Sequence, residues 1–411
     1  MEHYLTNITI EKVRHLSNII IELNKDNRQH LFLTGKNGSG KTSILLMIRK
    51  YLRAINDGNL NRLYVEYPRW LEKANVQLSN AQNDAERFEK QKAVDQRLGF
   101  ILKYKDGLDL SFNRFEDLDS AYQNGDFIIA YFSADRKTRL QVPHGVENIK
   151  LNESYDLDSD PAAILLKYMV HLKTQQSYAR NENDFANAER IQEWFARFEK
   201  ALRLLFDDES LRIEYNYKDY NFSIIESGKE PFGFEQLSDG YSSVIHILSD
   251  MILRMDKNWL LKDGLSNYNV EGIVMIDEIE THLHIELQKK IMPFLTEFFP
   301  RVQFIVTTHS PHILNSISNV KIYDLEKRIE MEDLSAFSSG DLTEAYFDTE
   351  EYSDLLNNKL KEYKELVSKT ELTNDERARR AELRIELKNL SEQLSGKVRD
   401  EFEEIEMYRG K

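Results

Sequence analysis

The sequence contains no cysteine in 411 residues. That excludes disulfide scaffolds, cysteine–zinc sites and thiol nucleophiles, and it fits a reducing compartment. No run of about 18 apolar residues occurs, so no membrane-spanning helix is expected, and the first residues lack the pattern of a secretory leader. A cytoplasmic protein with no membrane partner is the expectation. Basic charge is in deficit: 55 lysines and arginines face 70 aspartates and glutamates, for a formal net charge of −15. That balance disfavours a protein that coats nucleic acid, although a local basic patch remains compatible with it. With 41% hydrophobic and 30% charged residues, the chain reads as soluble and globular, one large domain with insertions or two to three modules.

Short aliphatic runs predict strands at Leu5–Ile10, Ser17–Leu23 and His30–Thr34. The third run ends at a glycine-rich loop, after which Ile44, Met47, Ile48, Tyr51 and Leu52 keep helical spacing from Lys41 to about Asn56. Residues 67–97 read as a short helical arm. Phe100–Tyr104 and Leu108–Phe112 flank Lys105-Asp106-Gly107 and predict a hairpin. Phe127–Phe132 predicts a buried strand, residues 139–161 a linker, and residues 161–176 and 183–206 two helices. Leu211–Tyr217 and Tyr220–Ile225 read as paired strands, and a helix is expected from Tyr241 to about Met255. Gly272–Ile276 and Gln303–Thr307 are apolar without alternation, as in a parallel sheet covered on both faces. Residues 343–411 are helical in pattern and heavily charged; a break at Thr370–Asn374 predicts a helical hairpin plus a short final helix.

Four motifs carry chemistry. Gly35-Lys36-Asn37-Gly38-Ser39-Gly40-Lys41-Thr42 is a complete P-loop between a strand and a helix. Its glycines let successive backbone N–H groups turn toward phosphate oxygens, the helix that follows aims its positive end at the anion, Lys41 reaches the terminal phosphates, and Thr42 holds Mg²⁺. Gly35, Asn37, Gly38, Ser39, Gly40, Lys41, Thr42 and Ser43 form the candidate phosphate site. The second motif, Ile273-Val274-Met275-Ile276-Asp277-Glu278, is a buried strand ending in two carboxylates. Asp277 is the second candidate for Mg²⁺, and Glu278 would polarise the attacking water. Third, Gln236-Leu237-Ser238-Asp239-Gly240-Tyr241 opens a helix, where a serine and backbone amides make a second anion site or an ordinary helix cap. Fourth, Thr307-Thr308-His309-Ser310-Pro311 follows a strand. Glu278, His309 and Lys41 are the candidate catalytic residues, and ATP with Mg²⁺ the expected cofactors.

These motifs, in this order over residues 1–328, resemble the nucleotide-binding heads of ABC-type ATPases of the SMC, RecF and OLD-like group. Ser238 and Gly240 match the family signature Leu-Ser-Gly-Gly-Gln, while Asp239 and Tyr241 depart from it. The resemblance implies that Ser238 and Gly240 cap the γ-phosphate bound by a second protomer and that His309 touches it. Asp277-Glu278-Ile279-Glu280-Thr281-His282-Leu283-His284 is similar to the loop that follows the acidic pair in RecF-like and OLD-like ATPases. That similarity would place His282 and His284 at the dimer interface or nucleotide; the competing reading is a metal set with Glu278. The family also places a glutamine after a strand between P-loop and signature. Here Phe127–Phe132 leads into Ser133-Ala134-Asp135-Arg136-Lys137, without glutamine, and the segment takes that role by position alone. Arg14, between the first two strands, resembles an arginine of SMC heads that approaches the phosphates; it and Arg136 are equally compatible with surface charge.

The resemblance implies an α/β fold: an ABC-type P-loop ATPase head with a mixed N-terminal sheet and a parallel core sheet, helical insertions and a helical C-terminal extension. The expected division is 1–66 for the P-loop half, 67–210 for the arm, hairpin and helical insertions, 211–328 for the signature half, and 343–411 for the extension. A transporter domain is disfavoured by the degenerate signature, and a GTPase by the only Asn-Lys-Asp, residues 24–26, preceding the P-loop. The short insertion resembles compact ATPases of bacterial anti-phage systems, the Septu group among them, as do Ile322–Leu325, Leu334–Phe337 and Glu344–Phe347. The resemblance implies a homo-oligomer of ATP-sandwiched dimers that controls a separate nuclease or effector, through which nucleic acid could be reached. No nuclease motif is visible in this chain. The alternative is a DNA-repair ATPase that binds DNA directly.

Overall fold

A computed structural model of the chain describes residues 2–136, 140–261, 269–340, 342, 354–369, 371–393 and 397–408. It divides into two units, Met1–Ala336 and Phe337–Lys411.

The first unit is built on two sheets. Strands β1 (Leu5–Val13), β2 (Leu16–Glu22) and β4 (Leu108–Phe112) form an antiparallel sheet in the order β2-β1-β4. On β1, Leu5, Ile8 and Ile10 are buried, with a bulge between Leu5 and Asn7, so one face of this sheet is apolar and turned inward. Strands β3 (His30–Thr34), β5 (Phe127–Phe132), β9 (Glu271–Ile276), β10 (Val302–Thr307), β11 (Val320–Asp324) and β12 (Ile329–Glu332) form a six-stranded sheet. Its order is β12-β11-β3-β10-β9-β5. All neighbours are parallel except the exposed edge strand β12, which runs antiparallel to β11. β3, β9 and β10 are buried at every residue, which is why their sequences show no alternation.

Helix α1 (Lys41–Asn56) lies between the sheets: Ile44, Leu45, Ile48, Tyr51, Leu52 and Ile55 join one apolar cluster with Ile8 and Ile19 of the antiparallel sheet and Leu31, Ile273 and Ile305 of the parallel one. A π-helical turn at Arg62–Glu66 leads into the paired helices α2 (Tyr67–Ser79) and α3 (Asp84–Leu102), with the short α4 (Leu118–Gln123) following β4. The hairpin expected of Phe100–Tyr104 and Leu108–Phe112 is absent. Val94, Leu98 and Ile101 keep helical spacing, so α3 runs to Leu102, and β4 pairs with β1 (Ile10↔Leu108). Residues 140–160 carry no regular element. Helices α5 (Leu165–Asn181) and α6 (Phe185–Phe206) pack as a pair. Strands β6 (Arg212–Asn216), β7 (Asn221–Ile225) and β8 (Phe232–Gly233) then form a small antiparallel sheet. It leads to the long helix α7 (Asp239–Leu261), which packs on β5. Helix α8 (Ile285–Phe298) connects β9 to β10. No described helix is long and apolar enough to cross a membrane.

The second unit is helical, with helices at Asp354–Ser368, Asn374–Gln393 and Lys397–Tyr408. Leu360, Tyr363, Leu366, Leu383, Leu387, Phe402 and Ile405 form its core. Its middle helix starts with a reciprocal cap: Glu376 N–H donates to Thr373 Oγ1 at 3.3 Å, and Thr373 N–H to Glu376 Oε2 at 2.9 Å. The Glu344–Phe347 stretch lies outside the described residues.

Candidate functional site

The P-loop leaves β3 at Thr34 and turns through Gly35, Gly38 and Gly40, whose φ angles are 125°, 85° and 102°. These left-handed values suit glycine. Gly40 is restricted a second time: a Cβ there would meet Leu16 Cδ1 at 2.7 Å, with His15 beside it. The β1–β2 turn therefore closes over the start of α1, and Arg14 in that turn is exposed with φ 54°. The far side of the loop is tied to the strand after it in the sheet: Lys36 pairs with Glu326 at 3.1 Å, and its N–H donates to Glu326 Oε2 at 3.2 Å.

Asn37, Gly38 and Thr42 are exposed, while Ser39, Lys41 and Ser43 are buried. The Lys41 ammonium folds back on its own loop and donates to Gly35 O at 2.8 Å and Lys36 O at 3.3 Å. It forms no carboxylate ion pair among the described residues. Burial pulls its pKa down, opposed by the nearby Glu278, Glu280, Asp277 and Asp324.

Parallel pairing of β9 and β3 with β10 between them delivers the second and fourth motifs to the same C-terminal end of the sheet. Thr42 Oγ1 donates to Asp277 Oδ1 at 3.2 Å, so the hydroxyl and carboxylate expected to share Mg²⁺ are adjacent. Thr307, at the end of β10, donates to the same Oδ1 at 2.6 Å and accepts the Glu278 N–H at 2.7 Å. Glu278 is held with φ 44° and His282 with φ 67°, a left-handed backbone that non-glycine residues adopt at a cost of about 1–3 kcal/mol. The His309 N–H donates to Glu280 Oε1 at 2.5 Å. Burial and the Lys41 charge depress the His309 pKa, which keeps the imidazole neutral at physiological pH. His282 and His284 are exposed.

Four buried polar atoms here have no hydrogen-bond partner among the described residues: Thr34 Oγ1, Ser39 Oγ, Glu280 Oε2 and His309 Nε2. Buried polar groups are ordinarily satisfied, so a cluster of orphans around a folded-back lysine fits a polar ligand. A magnesium–triphosphate matches the donor set, with ammonium, hydroxyls and loop N–H groups for phosphate, and Thr42 with Asp277 for the metal.

Ser238 and Gly240 lie at the start of α7, beside the loop after β9. Ser238 is exposed, and its carbonyl accepts the Ser242 N–H at 2.8 Å. Gly240 is buried; a Cβ there would meet His282 O at 2.7 Å, so glycine permits the close approach of α7 to the loop after β9. Tyr241, which departs from the family signature, stacks on Phe206 with ring centroids 4.2 Å apart.

Sequence reasoning gave Thr307 and Glu280 no individual role and left Arg136 open as a surface charge. Arg136 is instead buried, at 5% exposure, and bonded to the loop that carries Glu278. Lys137 lies outside the described residues. Only the missing glutamine signalled that this segment was unusual.

The chain is 34% identical over 139 residues to the Septu protein PtuA of Bacillus mycoides (strain KBAB4), a stretch covering 34% of this chain and 18% of that protein. It is 34% identical over 103 residues to the Retron Ec83 probable ATPase of Escherichia coli, covering 25% of this chain and 19% of that one. The chain thus spans less than a fifth of the length of either curated relative. A solved SMC head bound to the C-winged helix domain of ScpA overlaps 80% of this chain and 95% of its own, at 15% identity and a TM-score of 0.40, too loose an overlap to carry an argument. Residues 31–315, more than half of the chain, match one family model, so the chain, whose relatives include Septu and retron ATPases, belongs to the family described as "AAA domain, putative AbiEii toxin, Type IV TA system".

Proposed function

We propose that the chain is a slow, regulatory ATPase in which each ATP lies between Gly35–Thr42 of one copy and Ser238–Gly240 of a second. The resulting nucleotide-gated homo-oligomer controls a separate nuclease or other effector in cytoplasmic anti-phage defence. The observation that carries the ATPase reading is the convergence of Lys41, the Thr42–Asp277 pair, Glu278 and His309, whose Nε2 has no partner among the described residues, at the C-terminal end of the parallel strands. The names of the Septu and retron relatives favour the defence role.

Bound Mg-ATP supplies the electrophilic phosphorus and its neutralising metal. Lys41 exchanges two loop carbonyls for phosphate oxygens, a charge-assisted bond that is stronger than the one it replaces. Glu278, braced by Thr307, orients and deprotonates the attacking water. The neutral His309 reads the terminal phosphate through a single hydrogen bond from its free nitrogen. Ser238 is exposed and so available to a second copy.

Native mass spectrometry of Glu278→Gln protein, co-expressed with its flanking genes and purified with Mg-ATP, tests this reading. The substitution blocks hydrolysis while leaving binding intact, so an even-numbered assembly carrying ATP and a second polypeptide is expected. An ATP-bound assembly carrying DNA and no second polypeptide would transfer the function to DNA repair. A nucleotide-free monomer would overturn the ATP sandwich.

A further inference from the structure

Arg136 follows β5 by four residues and places all of its guanidinium donors on protein oxygen. Nε donates to Ser243 Oγ at 2.7 Å; Nη1 donates to Ser133 O at 3.2 Å and Asp277 O at 2.8 Å; Nη2 donates to Glu278 O at 3.2 Å and Ile279 O at 2.7 Å. It forms no ion pair among the described residues. Burial pulls its pKa down to about 10, opposed by the charges of Glu280, Asp277 and Glu278. A guanidinium without a paired carboxylate is costly to bury, so its surroundings must fix it tightly to retain it.

Three of those carbonyls belong to consecutive residues, 277 to 279, and the middle one is Glu278 at φ 44°. A left-handed turn at a non-glycine residue persists only where its surroundings over-determine it. Arg136 supplies that constraint from the carbonyl side, and Thr307 supplies it from the amide side. The Nε donor reaches Ser243, in the first turns of α7. One turn earlier, Gly240 approaches His282 O. The helix start that carries Ser238 thus meets the Glu278 loop at two points, one a direct backbone approach and one a hydrogen bond through Arg136. A cleft of about 480 Å³ opens beside this strut, lined by Arg49, Ser133, Asp158 and His246 together with Arg136, and it leaves α7 space for a small displacement without overpacking.

We propose that Arg136 is a positioning residue that fixes Glu278 in its hydrolytic conformation while Ser243 is seated, so that occupancy of Ser238–Gly240 by a partner's nucleotide is conveyed to Glu278 through Ser243 and Arg136. This rests on the ATP-sandwich reading above. It makes Arg136 a coupling element, reached by a hydroxyl on α7 and acting on backbone carbonyls.

The test is steady-state ATP hydrolysis by wild type, Ser243→Ala, Ser243→Thr and Arg136→Lys, with thermal unfolding of each. Misplacing a catalytic group by about 1 Å can cost a hundredfold, so Ser243→Ala is expected to lower kcat by roughly tenfold to a hundredfold. The KM for ATP and the fraction folded should stay unchanged, and Ser243→Thr, which keeps the hydroxyl, should restore kcat. Arg136→Lys loses the fork that gathers three carbonyls and should fall at least as far; if it does not fold, the serine pair still decides. In the Glu278→Gln background, Ser243→Ala should still dimerise with ATP. Wild-type kcat in Ser243→Ala, or a fall in kcat no larger than the loss of folded protein, would overturn the coupling and leave the ATPase reading standing. Absence of hydrolysis in wild type would overturn that reading and the coupling with it.

Discussion

Arg254 and Arg136 tie the same helix, α7, to β5 and the loop that follows it, and the two are satisfied in different ways. Arg254, in the second half of α7, is 4% exposed and carries its own counterion: Nε donates to Asp250 Oδ1 at 2.5 Å, and Asp250 is 2% exposed. Its other donors reach Ile129 O on β5 and the carbonyls of Tyr155, Asp156 and Ser159, which fixes the irregular 140–160 segment onto the helix. Arg136, at the opposite end, has only carbonyls and one hydroxyl. The rear attachment carries its own counterion, which feels His246 and Asp160 rather than the acidic residues of the candidate nucleotide site. The front attachment shares Asp277, Glu278 and Glu280 with the candidate nucleotide site, and its strength follows the charge there. One helix is therefore anchored at its back and responsive at its front.

The largest expected effect comes from breaking the rear attachment. Arg254→Met leaves Asp250 buried and unpaired, and removing one member of a buried pair costs about 3–5 kcal/mol. Urea unfolding should show most of the stability lost, and adding Asp250→Leu should recover much of it. A tolerated single substitution would erase the distinction between the two arginines.

A smaller, pH-dependent effect belongs to Asp256, two residues further along α7. Its carboxylate is fully buried against Trp194, whose Nε1–H donates to Oδ2 at 2.8 Å, and burial pushes its pKa up to about 7. A carboxyl raised on folding is protonated in the native state. Its contribution is therefore fully present below its unfolded pKa and is lost as pH rises through about 7. Asp256→Asn removes that dependence. Melting curves should show the variant matching wild type below about pH 4 and exceeding it near about pH 8, by an amount on the order of a few kcal/mol. A constant difference across the range would contradict this. Smallest in stability is Ser243→Ala, expected to cost about 1.5–3 kcal/mol, the value of one hydrogen bond to a charged group, despite its large expected effect on turnover.

Much of this architecture was legible in the chain. His30–Thr34 and Lys41–Asn56 have the bounds that their apolar spacing predicts, because local periodicity and the glycine-rich loop between them both point the same way. Phe100–Tyr104 misled: aromatic and aliphatic residues beside a Gly turn suit a hairpin, while β4's actual partner, β1, lies about a hundred residues away. Long-range pairing leaves no local trace. The P-loop, Asp277, Glu278 and His309 announced themselves by type and spacing. Arg136 did not, because its role lies in bonds to backbone carbonyls, which no side-chain pattern encodes. Glu326 bracing Lys36, and Leu16 closing over Gly40, were hidden for the same reason: each is a contact across the sheet or between strands.

The claim at the centre of this account is that each site is completed by a second copy. Lys41→Ala removes the phosphate lysine and Ser238→Arg blocks the signature, so each variant alone should be inactive in an ATPase assay. In a mixture of the two, a mixed dimer has one site with an intact P-loop from the Ser238→Arg copy and an intact signature from the Lys41→Ala copy. Random pairing through a two-fold interface should restore about a quarter of wild-type hydrolysis. No recovery from two folded, exchanging variants, alongside an active wild type, would show that each site is complete within its own chain.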